Sequence, residues 1–153
     1  MKPIEENLHH LDSKMRTESI LLDERSYPLN RSATKYISVG LSPALNFASI
    51  VKIWGSGCCV FFTRQEWYEF TTLDHFTLSN GISKSSGDHQ IRKTEYKDVK
   101  VLEIKCRDFK IMLSDISFKN LLSLTALIDS RLEMLNSLKF HEHYVNILKN
   151  LVT

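Results

Sequence analysis

Aromatic rings and lysines share one predicted strand face of this sequence, and together they form its most promising chemical group. The rings and cations are those of Tyr36, Lys52, Trp54, Phe61, Lys105 and Lys110. Aromatic rings stack on nucleobases and lysines pair with phosphates, so this mixture is typical of surfaces that bind single strands. It therefore predicts a platform for single-stranded DNA or RNA. A second interpretation stays open, because a half-apolar face also fits a contact with another subunit or a protein partner.

The segment from Lys84 to Lys110 carries the basic bias of the chain. It holds eight basic and five acidic residues, and its Arg92 and Lys93 join the candidate nucleic-acid contacts. Residues 84–97 fit a solvated hairpin loop better than a phosphate clamp. The whole chain has 20 Lys and Arg against 18 Asp and Glu, a formal net charge of +2. Charge alone therefore does not predict nucleic-acid binding.

The residue types that usually perform catalysis or bind metals do not form a recognisable set. Four of the six histidines occur as the pairs His9–His10 and His141–His143, and no cysteine pair at metal-ligand spacing accompanies them. The sequence offers no nucleophile with its base, no paired carboxylates and no Gly-rich phosphate loop. We therefore expect a protein that is not an enzyme, with no catalytic residue, no metal and no cofactor.

The cysteines and the N-terminus predict where the protein works. Cys58, Cys59 and Cys106 are odd in number and two are adjacent, which is unlike a disulfide framework. The first residues lack the apolar core of a secretory signal, and no apolar run approaches a membrane span. We expect a nuclear or cytoplasmic protein without a membrane partner, and the DNA-binding hypothesis favours the nucleus.

Alternating apolar residues and turn signals predict the elements that must position the rings and lysines. Strands are expected over residues 36–39, 47–54, 58–62, 91–96, 99–106 and 109–113. Thr63 and Ser114 are candidate N-caps. Each precedes an apolar helical stripe, which predicts one helix to about Leu73 and a long one to about Leu138. Residues 140–151 either extend the long helix or form another.

A repeat at an offset of 51 residues relates the two halves of this pattern. Val51 matches Leu102, Thr63 matches Ser114 and Trp67 matches Phe118, all without gaps. Each unit, about 47–73 and 98–138, reads strand, tight turn, strand, hydroxyl cap and amphipathic helix. The units are either duplicated or two similar motifs that arose separately. Trp67 and Phe118 are expected to be core anchors.

Strand alternation assigns the faces of these units. The helix-side set is Val51, Ile53, Val60, Phe62, Leu102, Ile104, Ile111 and Leu113. The opposite set is Lys52, Trp54, Cys59, Phe61, Glu103, Lys105, Lys110 and Met112. Tyr36 joins the opposite set in the first strand.

The expected fold is α+β, with a twisted antiparallel sheet built from the two units and helices on one face. Residues 1–34 are polar and predict an N-terminal arm that is partly disordered, and residues 35–153 predict a single domain. A long apolar helix and a half-apolar sheet face exceed what one small sheet covers. We therefore expect a homodimer, formed through the C-terminal helix or the sheet.

Two short motifs give the chain a family resemblance. Tyr36-Ile37-Ser38-Val39 resembles the opening strand of the positive-cofactor-four transcriptional coactivators, and residues 60–67, ending in Trp67, resemble their strand-to-helix step. The Whirly proteins are similar in another way, through two consecutive sheet-then-helix units. The likeness covers about residues 35–138, without the Lys-Gly-Lys-Ala signature of the Whirly proteins or the dense basic residues of the coactivators. It implies a single-stranded-DNA-binding fold and a role associated with transcription.

Overall fold

The computed structural model describes residues 20–73, 83–86 and 88–152. The strands of this part are β1 (Leu22–Pro28), β2 (Lys35–Ser42), β3 (Ala48–Gly55), β4 (Cys58–Thr63), β5 (Ser83–Ser86), β6 (His89–Tyr96), β7 (Val99–Cys106) and β8 (Phe109–Ser114). Its α-helices are α1 (Arg64–Thr72), α2 (Asp115–Ser123), α3 (Thr125–Leu135) and α4 (Leu138–Val152), and a 3₁₀ turn spans Pro43–Leu45. None of the helices in the described ranges is both long and apolar enough to span a membrane.

The strands form two antiparallel sheets with the same internal order. Sheet A follows the order β1-β2-β3-β4 and sheet B the order β5-β6-β7-β8. The expected α+β class and the antiparallel pairing are therefore confirmed. The arrangement differs from the prediction in one respect. The two units contribute their strands to separate sheets, β3 and β4 to sheet A and β7 and β8 to sheet B, whereas a single sheet was expected.

One hydrophobic core lies between the helices and the inner faces of both sheets. Every member of the predicted helix-side set is at most 4% exposed, which confirms the face assignment. Val51 lies opposite Phe62 in sheet A and Leu102 lies opposite Leu113 in sheet B, so matched residues hold corresponding places. That correspondence is one of geometry, and duplication of the two units stays a prediction.

The predicted N-caps of the helices that follow β4 and β8 are confirmed. Thr63 Oγ1 accepts from the Glu66 amide at 3.2 Å, and the Glu66 carboxylate accepts from the Thr63 amide at 2.9 Å. Ser114 Oγ accepts from the Ser117 amide at 3.2 Å. These bonds satisfy amide groups that a helix leaves free in its first turn. The predicted core anchors Trp67 and Phe118 follow, 1% and 8% exposed.

The boundary placed between an N-terminal arm and the domain at residue 35 is wrong for residues 22–34. Residues 22–28 form β1, whose polar composition suits an edge strand because much of it meets solvent. Arg131 of α3 is buried and donates to the carboxylate and the carbonyl of Asp23, which fastens β1 to the helix layer. Residues 1–19 lie outside the described residues, and with them most of the arm.

Residues 84–97, which fitted a solvated hairpin loop by sequence, contain all of β6 and part of β5. The loop prediction is wrong because β6 lies inside sheet B, between β5 and β7, whereas the strand expected over residues 91–96 is confirmed. Its Ile91 is fully buried against the core. The charged residues of β6 lie on its outer face or near its C-terminal end.

The long helix predicted to run to Leu138 is interrupted at Leu124. The Leu124 amide donates to the carbonyls of both Asn120 and Leu121, at 3.2 and 3.1 Å, which tightens the last turn of α2. The interruption has a packing reason, because α2 contacts β7 and β8 whereas α3 contacts β2 and β3. The chain changes direction as it passes from one sheet to the other.

Candidate nucleic-acid interface

The outer face of sheet A brings together two of the predicted rings. Tyr36 on β2 and Trp54 on β3 are directly opposed in the strand register. Their ring centroids are 4.6 Å apart and the ring planes differ by 17°, so the rings are stacked. Both side chains are half-buried, which leaves part of the stacked pair accessible. Such a pair offers a flat apolar surface on which a further ring can stack.

Hydrogen bonds fix the orientation of the indole. Trp54 Nε1 donates to Ser38 Oγ at 2.6 Å, and the Ser38 hydroxyl lies 2.7 Å from the hydroxyl of Ser26 on β1. Ser38 is fully buried, and Ser26 is exposed on the edge strand. The indole is therefore held in place before any ligand arrives, which reduces the entropy that binding would cost.

Lys52 lies beside the rings, but a carboxylate compensates its charge. Its Nζ is 2.8 Å from Glu24 Oε1 and 5.1 Å from the centroid of Trp54, and its side chain is 8% exposed. A buried ammonium group requires such partners because desolvation of a charge is costly. Lys52 therefore orients and supports the indole, and it does not present a free cation to a phosphate.

Glu24 reaches Lys52 because β1 bulges over Gly40. The β1–β2 register shifts between Leu22 and Arg25. A Cβ atom placed on Gly40 would lie 2.9 Å from the Leu22 carbonyl oxygen and 3.3 Å from the Glu24 Cα. Glycine at residue 40 thus permits the close approach that delivers the carboxylate.

Phe61 completes the patch on the β4 side. It is half-buried and lies opposite Lys52 in the β3–β4 register. We call the outer-face group of Tyr36, Lys52, Trp54 and Phe61 the aromatic face. The four predicted residues of sheet A therefore share one surface.

The predicted residues of sheet B belong to a different sheet from the aromatic face. Lys105 on β7 and Lys110 on β8 are directly opposed and both exposed, and we call them the lysine pair. Arg92 Nη2 lies 3.2 Å from the carboxylate of Glu103, its partner in register on β7. Lys93 is wrongly grouped with these residues, because it follows Arg92 along β6 and so points to the other face, opposite Leu102. The single platform inferred from the sequence is thus divided between two sheets.

Sequence reasoning missed the polar partners of the aromatic face. Ser38 had a signal, because strand alternation places it on the same face as Tyr36. Glu24 and Ser26 had none, because their polar segment was not recognised as a strand. Among the described residues, no group of three His, Cys, Asp or Glu side chains is arranged to hold a metal ion.

No protein-family model, curated protein or solved structure matches this chain.

Proposed function

We propose that this chain binds single-stranded nucleic acid by stacking bases on the aromatic face. The observation that carries the proposal is the stacked, half-exposed pair of Tyr36 and Trp54, held from below by Ser38. Base stacking on such rings contributes about 1–3 kcal/mol per base and tolerates any sequence. Lys52 contributes by supporting the indole, and its ammonium group is paired with Glu24.

The lysine pair supplies the electrostatic part of this function. Lys105 and Lys110 are exposed, opposed across two strands and free to approach phosphates as the strand leaves the rings. With a net charge of +2 on the whole chain, we expect a modest dependence on salt. We therefore expect stacking to be the main source of affinity. A nuclear location is expected only if the strand bound in the cell is DNA.

The test is fluorescence anisotropy with a labelled oligonucleotide at two salt concentrations. We expect Trp54→Ala to lose about 1–3 kcal/mol of binding free energy for the base that it stacks, with little change in the salt slope. Tyr68→Ala is the matched control, because Tyr68 is an exposed ring on α1, 63% accessible and outside the aromatic face. Trp67→Ala serves as a second control and should destabilise the fold. A folded protein without salt-dependent affinity for any single strand would contradict the proposal.

An intrinsic fluorescence signal localises the contact. The chain has two tryptophans, at residues 54 and 67. In a Trp67→Phe background only Trp54 fluoresces as an indole, so a stacked base should quench it directly. Binding that leaves this emission unchanged would place the strand elsewhere.

A protein-interaction or dimerisation module is the second candidate function. Exposed apolar side chains on α3 and α4 favour it, since Leu127, Met134, Ile147 and Leu151 are each 41% or more accessible. We propose that these helices or the sheet mediate a homodimer. Light scattering at micromolar concentration tests it, and a stable monomer would contradict it.

A further inference from the structure

A cavity runs along β4, the last strand of sheet A. Its volume is about 310 Å³, near the lower end of the roughly 300–1,000 Å³ that small-ligand pockets occupy. Side chains from both faces of β4 line it, including Phe61 from the outer face and Phe62 from the inner face. The turn between β7 and β8 closes it from the side of sheet B, through Arg107 and Phe109. Both halves of the chain therefore build this site.

The walls of the cavity are mostly apolar. Ile50, Val60 and Phe62 are at most 1% exposed, and the rings of Phe61 and Phe109 are half-buried beside them. Walls of this kind bind an apolar body, since burying it removes apolar surface from water. The two accessible rings favour a flat or cyclic body over an open chain.

Charged side chains lie on the same lining, and negative charge prevails among them. They are the carboxylates of Glu66 and Asp88 and the guanidinium of Arg107. Burial raises the pKa of the Cys106 thiol above its ordinary value, the Glu66 and Asp88 carboxylates raise it further, and Arg107 partly offsets the rise. The Cys106 thiol, which also lines the cavity, is therefore a neutral group at neutral pH and lies within the field of both carboxylates.

Glu66 is held in position before any ligand arrives. One carboxylate oxygen accepts from the Thr63 amide at 2.9 Å. The other lies 3.4 Å from His89 Nδ1, a buried nitrogen that makes no hydrogen bond. His89 is itself fixed, because its Nε2 lies 2.6 Å from the Phe61 carbonyl oxygen and its ring stacks on Phe62 at 4.2 Å between centroids. The carboxylate therefore has little freedom to move away from a cation in the cavity.

We propose that this cavity binds a small organic cation in which a ring carries an alkylamine, with the ring against Phe61 and Phe109 and the ammonium group beside Glu66 and Asp88. The apolar walls select the ring, and the excess of carboxylate over guanidinium selects the cation. A phosphate would meet two carboxylates there, so the cavity is distinct in its chemistry from a strand-binding surface. The proposal does not depend on nucleic-acid binding.

The test compares two probes that differ in charge. 2-Phenylethylamine and 3-phenylpropanoate are titrated separately into ¹⁵N-labelled full-length protein, and amide shifts are followed by NMR. We expect the amine to bind at least about tenfold more tightly than the acid, the ratio that one hydrogen bond to a charged group provides. We also expect its shifts to centre on β4, Glu66 and the Arg107 turn. Equal affinities, a preference for the acid, or shifts elsewhere would overturn the proposal.

Matched variants separate charge from shape. Glu66→Gln keeps an oxygen for the Thr63 amide but loses the charge, so the amine should lose most of its advantage over the acid. Glu69→Gln on the same helix is the control and should change nothing, because Glu69 is outside the cavity. If the Glu66→Gln variant does not fold, Asp88→Asn removes the other carboxylate of the lining, from an exposed position. An amine preference that survives in the folded variant would overturn the role of the carboxylates.

A steric variant tests the location directly. Ala44 is exposed and lies on the cavity lining, so Ala44→Phe should fill the space and abolish amine binding. The same variant should leave the quenching of Trp54 by a single strand unchanged, because the cavity shares Phe61 but not Trp54 with the aromatic face. Unaltered amine binding would place the ligand elsewhere. Failure of this proposal is therefore distinguishable from failure of the proposed function.

Discussion

The outer faces of the two sheets have the same strand geometry but opposite surface character. On sheet A, Lys52 is buried between Trp54 and Glu24, and rings occupy the accessible surface. On sheet B, Lys105 and Lys110 are opposed and exposed. Sheet A therefore offers stacking with little free charge, and sheet B offers free charge without a stacked pair.

The difference teaches that the neighbours on the same sheet face decide what a lysine does. A lysine beside a large ring can lay its methylene stem along the ring, and its ammonium group is then desolvated and requires a carboxylate. A lysine opposite another lysine gains nothing from approach, so both extend into water. Stacking and phosphate contact consequently involve residues of different sheets, and each can be altered without the other.

The largest expected effect concerns the two ion pairs that lie on these faces. Glu24→Ala removes a carboxylate from a lysine whose side chain is 8% exposed, whereas Glu103→Ala removes one from an arginine whose side chain is 43% exposed. We expect Glu24→Ala to lower the free energy of unfolding by about 2 kcal/mol. Glu103→Ala should lower it by less than about 1 kcal/mol, because solvent replaces the lost partner of Arg92. Urea unfolding measures both.

A double variant sharpens this comparison. Replacing Lys52 by Met in the Glu24→Ala background removes the buried charge and should recover most of the lost stability. Equal losses for the two single variants would contradict the contrast between the sheets.

The next effect concerns the dependence of strand binding on salt, and it rests on the proposed function. Lys105→Gln and Lys110→Gln should each reduce the slope of log K against log salt by about 0.7, the value for one phosphate contact on a single strand. Lys52→Gln should leave the slope unchanged, because Glu24 already neutralises that ammonium group. Anisotropy titrations over several salt concentrations measure the slopes. A slope that falls for Lys52→Gln and not for the lysine pair would reverse the assignment.

The smallest effect concerns the Cys106 thiol on the inner side of sheet B. Because burial and the Glu66 carboxylate raise its pKa, little thiolate is present at neutral pH. Alkylation by iodoacetamide should therefore be slow at pH 7.5 and increase only above the ordinary thiol range. Glu66→Gln removes one cause of the raised pKa, so the reaction at pH 8–9 should become a few times faster.

Peptide mass spectrometry follows the alkylation of Cys106 residue by residue. Glu69→Gln is again the control and should leave the rate unchanged. Fast alkylation of Cys106 at neutral pH in the unaltered protein would contradict the pKa direction.

Local patterns in the sequence determined much of this fold. Alternation placed Val51 and Leu102 on inner faces, and hydroxyl residues before apolar stripes placed the helix starts after Thr63 and Ser114. These features depend on residues close in sequence, whose side-chain directions follow from the period of a strand or a helix. The same period put Tyr36, Lys52, Trp54 and Phe61 on one face of sheet A.

Tertiary structure alone decided which of these residues meet and which carry free charge. The bulge of β1 over Gly40 brings Glu24 to Lys52, and the division into two sheets puts the lysine pair and the rings on different sheets. Both outcomes depend on the pairing of distant segments, and β1 has the polar composition of an edge strand, without an apolar period to reveal it. The period of a sequence determines which face of the sheet a side chain occupies. The neighbour that the side chain contacts on that face depends on how distant segments pair in the folded chain.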